Sequence, residues 1–114
     1  MLTFVESTAF TAAWAAYAEP EELHALMESL AEHPGRGARI PGCPLLRKLR
    51  FPSKTIGRGT QGGLRVIYMH TPAAHRIDLL TVYPKTMKDD LSPRDLQALC
   101  QRARAVRRII KDQP

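Results

Sequence analysis

Two apolar, β-branched-rich runs, Leu64 to His70 and Arg76 to Tyr83, are separated by only five residues, Thr71-Pro72-Ala73-Ala74-His75. A connection this short is too small for the crossover that parallel strands require, so the two runs are expected to pair as an antiparallel hairpin. A lone hairpin is marginal in water and must pack on further elements. Leu46 to Phe51 supplies a third strand by strict alternation, with Leu49 and Phe51 facing one way and Lys48 and Arg50 the other. Thr3 to Glu6 can add a short opening strand.

Helical signals flank these strands. Ser7 can cap a first helix carrying Phe10, Ala13, Trp14 and Tyr17 on one face. Glu19-Pro20-Glu21-Glu22 restarts a second helix, because proline is tolerated in a first turn and acids there favour the positive end of the dipole. Leu23, Leu26, Met27 and Leu30 form its apolar stripe, and Pro34-Gly35 ends it. Pro34 to Pro44 reads as loop, and Ser53 to Gly63 as a basic, glycine-rich loop. Ser92-Pro93-Arg94-Asp95 resembles a capping box, followed by a stripe of Leu96, Leu99, Cys100, Ala103 and Val106. The fold class expected is α+β: an N-terminal helix hairpin packed on a small, mainly antiparallel sheet, with a C-terminal helix. At 114 residues the chain has room for one domain, spanning 1–114, with one modest core.

Charge is segregated along the chain. Residues 1–32 hold six acids and no Lys or Arg, whereas residues 33–77 hold nine basic residues and no acid. Residues 78–114 carry eight basic and five acidic groups. A 45-residue stretch without a carboxylate points to a face that meets polyanion, where Lys and Arg displace condensed counterions. A basic face that aids solubility or binds an acidic protein is the alternative. Part of the Arg102, Arg104, Arg107, Arg108 and Lys111 cluster needs no such explanation, since cations late in a helix suit its dipole.

Other chemistries find little support. No run approaches the roughly 18 apolar residues of a membrane span, and the N-terminus lacks the features of a signal peptide, so a cytoplasmic protein without membrane association is expected. Neither Cys43 nor Cys100 has a C-x-x-C companion, and two free thiols are expected in a reducing compartment. His24, His33, His70 and His75 show no metal-ligand spacing, so neither metal nor cofactor is expected. What remains is cations on strands. Lys48 and Arg50 project from one face about 6.6 Å apart, able to bracket a phosphodiester. Arg65 opens the next strand and Lys85 follows the last. RNA carries its own nucleophile, and preorganised cations can neutralise the phosphate as the 2′-hydroxyl attacks.

These pieces together carry a resemblance. Gly57 to Leu91, with Leu46 to Phe51 (LRKLRF) and Phe4 to Ser7 (FVES), resembles the HigB branch of the RelE/ParE superfamily, toxins of type II toxin–antitoxin modules. The set Arg47-Lys48-Leu49-Arg50, Gly63-Leu64-Arg65-Val66-Ile67-Tyr68, Tyr83-x-Lys85 and Lys88-x-x-Leu91-Ser92 is specific, although each piece alone is weak. The resemblance implies metal-independent cleavage of mRNA, usually in the ribosomal A site. It also implies a cognate antitoxin, of a kind that often carries a helix-turn-helix and is encoded beside the toxin. Carried over to this chain, Lys48 is the candidate base, Arg50 and Arg65 are phosphate clamps, and Lys85 is a stabiliser or acid. Tyr83 is placed to stack on a base or to sit in the core, with Lys54, Arg58 and Lys88 contacting RNA. Relatives carry a tyrosine or histidine where this chain has Leu91, and a small residue at the position of Pro84. A catalytically degenerate nucleic-acid- or antitoxin-binding module and a ParE-like gyrase poison remain as alternatives on the same fold.

Overall fold

The expected hairpin forms the middle of a five-stranded sheet. The computed structural model describes residues 1–54, 61–88 and 90–113. Its elements, in chain order, are β1 (Thr3–Glu6), α1 (Thr8–Tyr17), α2 (Pro20–Glu32), β2 (Ala38–Ile40), β3 (Cys43–Phe51), β4 (Leu64–Thr71), β5 (Arg76–Pro84) and α3 (Pro93–Lys111). The sheet runs β1-β5-β4-β3-β2, antiparallel except where β1 pairs parallel with β5. A single 3-10 turn, Pro72–Ala74, joins β4 to β5, and His75 closes it in the left-handed region at φ 48°.

Alternation along the strands divides the core into two layers. One face carries Leu49, Leu64, Val66, Tyr68, Ile77, Leu79 and Val82, covered by Phe10, Trp14, Leu26 and Leu30 of α1 and α2. The other face carries Leu46, Ile67, Met69 and Leu80 under Leu99, Cys100 and Ala103 of α3. The predicted caps hold both ends in place. Ser7 Oγ accepts from the Phe10 amide at 3.0 Å while its hydroxyl donates to the Leu80 carbonyl at 2.7 Å, fixing the start of α1 to β5. Ser92 Oγ accepts from the Asp95 amide at 3.1 Å, with Pro93 in the first turn of α3.

The segment 34–44 departs from the expected loop. It contains the short strand β2, and β3 begins at Cys43, three residues earlier than the alternation suggested. Prolines and glycines conceal this, because β2 is an edge strand whose pairing with β3 is irregular between Arg39 and Ile40. The turn before β2 is fixed from inside: the buried Tyr68 hydroxyl donates to the Pro34 carbonyl at 2.8 Å and accepts from the Gly37 amide at 2.9 Å. Burial raises the pKa of that phenol, partly offset by the Gly37 bond and by Arg47 and Arg36 nearby.

The expectation of two free thiols is also overturned. Cys43 and Cys100 form a disulfide, with Cα atoms 6.0 Å apart and 57 positions of chain between them. Their pairing is spatial: the first residue of β3 and the apolar stripe of α3 meet in one core layer. Among the described residues, no helix is long and apolar enough to cross a membrane.

Candidate functional site

Strand register brings most of the predicted cations together. Arg50 lies opposite Arg65, and Arg65 opposite Tyr83, so the three share one row on one face. Lys48, opposite Ile67, is two residues along β3 on the same face, about 6.6 Å away. This is the face on which α3 packs, and Tyr83 belongs to the core layer beneath that helix. Like charges directly opposed across a sheet are destabilising. Arg50 against Arg65 is therefore a local cost without a packing explanation.

A two-glycine turn sets the neighbouring end. Gly62 and Gly63 have φ of 84° and 83°, and a Cβ on Gly63 would stand 2.7 Å from the Phe51 carbonyl oxygen. Arg65 is 3% exposed, and its Nη1 donates to the Gly62 carbonyl at 3.1 Å. The Lys85 amide donates to the Gly63 carbonyl at 3.1 Å, and its side chain runs against Gly62. One turn thus aims a buried guanidinium and positions an exposed ammonium at the same edge.

Lys48 has a partner that the sequence did not reveal: its ammonium is ion-paired with the Asp90 carboxylate, 42 positions away. The pair stands at a cleft of about 410 Å³ between β2, the sheet face and the start of α3, lined in part by Arg39, Ile40, Tyr83 and Leu91. An ammonium held by a carboxylate is a proton donor, and the carboxylate is the acceptor. The one hint in the sequence was that an acid pair, Asp89-Asp90, follows a long basic stretch.

The remaining predicted residues divide. Tyr83 is 3% exposed with the Lys88 ammonium 5.1 Å from its ring centroid, so in this arrangement it contributes a wall and a cation–π contact and has no open face for base stacking. Lys88 also pairs with Asp95 at 3.2 Å, and that bond, with the Ser92 cap, lowers the Asp95 pKa. Lys54 is exposed beyond the end of β3. There its amide donates to Glu22 at 3.2 Å, beside a Ser53–Glu22 bond of 2.9 Å. Arg58 lies outside the described residues. Arg76 serves the fold, bonded through Nε and Nη2 to the buried Asp78.

The row can hold an anion between Arg50 and Arg65, with a donor and an acceptor one row away at Lys48 and Asp90. That combination suits a phosphate beside a hydroxyl. No family model matches the chain. Among solved structures, a chain in the crystal structure of the intact E. coli RelBE toxin–antitoxin complex has a similar fold, with a TM-score of 0.55 at 16% identity. The match covers 74% of this chain and 96% of that one. At this identity the likeness is one of fold.

Proposed function

We propose that residues 1–114 form one RelE-like toxin domain of the HigB kind, which cleaves mRNA on the ribosome without a metal ion and is silenced by a cognate antitoxin. The observation that carries this reading is the Arg50–Arg65 pair, set opposite each other on one sheet face beside Lys48 and Asp90. The fold shared with a chain of a toxin–antitoxin complex supports it.

In this mechanism Arg65 and Arg50 grip the non-bridging oxygens and neutralise charge that builds on the phosphorane, with Lys85 adding to that field. Asp90 takes the proton of the 2′-hydroxyl as its oxygen bonds to phosphorus. Lys48 gives a proton to the departing 5′-oxygen as the P–O bond breaks, leaving a 2′,3′-cyclic phosphate and a 5′-hydroxyl. The base role assigned from sequence to Lys48 thus passes to Asp90, and Lys48 takes the acid role that the sequence reading had offered to Lys85. No step needs a metal or an organic cofactor.

The test is induced expression of the wild-type chain, Arg65→Ala and Arg50→Ala in bacteria, with primer extension on a reporter mRNA. Arrest with new in-frame 5′ ends is expected from the wild type. Each substitution removes a charge placed at the transition state and is expected to lower cleavage by about 10²–10³. Arg50 is exposed, so its variant separates catalysis from folding. Arrest without cleavage would point to gyrase or another target, and absence of arrest to a binding module; either refutes the RNA-cleaving reading.

A further inference from the structure

A second cationic cluster lies at the β2 edge of the same sheet. Arg39 and Arg47 are directly opposed on β2 and β3, the second like-charge pair across the sheet. With His70 and Arg107 they line a polar pocket of about 170 Å³, closed by Pro44, Leu45 and Pro72. Liquid water occupies about 30 Å³ per molecule, so the pocket has room for a tetrahedral oxyanion.

The hydrogen bonding of these side chains is organised but leaves charge unanswered. Arg47 Nη1 donates to the Gly37 carbonyl at 2.7 Å and the Gly35 carbonyl at 3.3 Å. Arg107 Nη2 donates to the His70 carbonyl at 3.0 Å and the Thr71 hydroxyl at 3.4 Å. Arg39 Nη1 reaches only the Pro44 carbonyl, at 3.3 Å. Among the described residues, none of the three is paired with a carboxylate. The Nε of Arg107 is buried and has no hydrogen-bond partner among them. Buried donors in native proteins are almost always satisfied, so an orphan guanidinium N–H beside two further arginines calls for an acceptor.

We infer that Arg39, Arg47 and Arg107 form a second phosphate site, which holds a backbone phosphate of the same RNA strand that the Arg50–Arg65 row cleaves. This rests on the RNA-cleaving reading for its ligand, though not for the existence of the site. Arg47 is three positions from Arg50 on β3, about 10 Å at the rise of a strand, and alternation turns it to the other face, so the path from one site to the other runs round the β2 edge. Arg39 lines both this pocket and the cleft at Lys48, giving a continuous cationic path between them. His70 stands among these charges: its pKa is lowered chiefly by burial and further by Arg47, Arg107 and His75.

The experiment follows the His70 imidazole signals by NMR during titration of the full chain, wild type and Arg65→Ala, with inorganic phosphate, a fully 2′-O-methylated RNA 12-mer, and polyglutamate. The RNA analogue cannot be cleaved because its 2′-oxygens are blocked. Binding of the 12-mer is measured in parallel for Arg39→Gln, an exposed position, and for Arg39→Gln/Arg107→Gln. Phosphate and the 12-mer are both expected to shift His70 and raise its pKa, in Arg65→Ala as well as in the wild type. The double variant is expected to lose about tenfold or more in affinity for the 12-mer, since two charge-assisted bonds are removed. Its salt slope is expected to fall by about 1.4, at roughly 0.7 per cation on single strands. A His70 response to phosphate with 12-mer affinity unchanged in the double variant would reduce the site to one for free anions and overturn the RNA assignment. A response to polyglutamate but not to the 12-mer would assign the surface to an acidic protein. Silence towards all three would overturn the site itself. Because Arg65→Ala disables only the first cleft, loss of cleavage there with an intact His70 response separates the two readings.

Discussion

Breaking the Cys43–Cys100 bond is the perturbation whose size follows most directly from the fold. In the chain-entropy description, closing a loop of 57 residues removes about 14 cal/mol/K from the unfolded ensemble, or about 4 kcal/mol at 25 °C. Reduction leaves both sulfurs in place as small apolar groups at 1% and 5% exposure, so packing between β3 and α3 changes little and the loop-closure effect stands nearly alone. A domain of this size is stable by only about 5–15 kcal/mol, so the loss is a large share of the total. The assay is urea unfolding with and without a dithiol reductant, followed by far-ultraviolet circular dichroism. With a slope of about 1.5 kcal/mol/M, the midpoint is expected to drop by about 2–3 M. A Cys43→Ala/Cys100→Ala variant is expected to melt with the reduced protein or slightly below it, because it also loses the buried sulfurs. Titration of thiols in denaturant is expected to find none before reduction and two after. Two reactive thiols in unreduced protein would refute the bond. Coincident melts of a fully bonded and a fully reduced sample would refute the entropic argument.

Gly63→Ala places a side chain at φ 83° and a Cβ 2.7 Å from the Phe51 carbonyl oxygen, so it is expected to lose more than the 1–2 kcal/mol of the left-handed conformation alone, read as a lower urea midpoint. Because the Lys85 amide bonds to that glycine's carbonyl, RNA cleavage by the variant is expected to fall even at temperatures where it stays folded. His70 has a folded pKa below its ordinary value near 6.5, so its contribution to stability is complete above that pH and lost as pH falls through the folded pKa. The urea midpoint of the wild type is therefore expected to decline below about pH 6.5 more steeply than that of His70→Gln, and equal declines would exclude the effect.

What could be read along the chain was whatever depends on near neighbours. The β4–β5 hairpin was legible because five residues admit few connections, and the helix starts because Ser7 and Ser92 each act three residues ahead. Alternation put Lys48 and Arg50 on one face of β3, chain order put Arg65 and Lys85 at the ends of the neighbouring strands, and the register then aligned Arg50 with Arg65. Hidden from that reading were features made by residues distant in sequence. β2 is a three-residue edge strand among prolines and glycines, held by the Tyr68 hydroxyl 31 positions away at Gly37. Asp90 meets Lys48, and Cys43 meets Cys100, only because α3 and the turn before it fold back over β3. For Tyr83 the sequence left a stacking and a core place open, and the structure puts its ring in the core layer under α3, with Lys88 over it.

The charge segregation of the sequence takes a more specific form in space. Residues 33–77 supply no carboxylate, so any neutralisation of their cations must come from elsewhere. Acids from outside that stretch do reach in at particular points, one of them, Asp78, only two positions from its partner. Asp78 takes Arg76, Asp90 takes Lys48, and Glu22 of α2 takes the backbone of Lys54 and the hydroxyl of Ser53. Among the described residues, Arg39, Arg47 and Arg107 meet only carbonyls and one hydroxyl. Carbonyls orient a guanidinium without cancelling its charge. A surface evolved for solubility alone would have no reason to oppose arginines in pairs, since each pairing costs stability. The sheet does so twice, once at Arg50–Arg65 and once at Arg39–Arg47. Two opposed pairs about 10 Å apart along β3 fit a ligand with anions repeated at intervals better than one with a single charge.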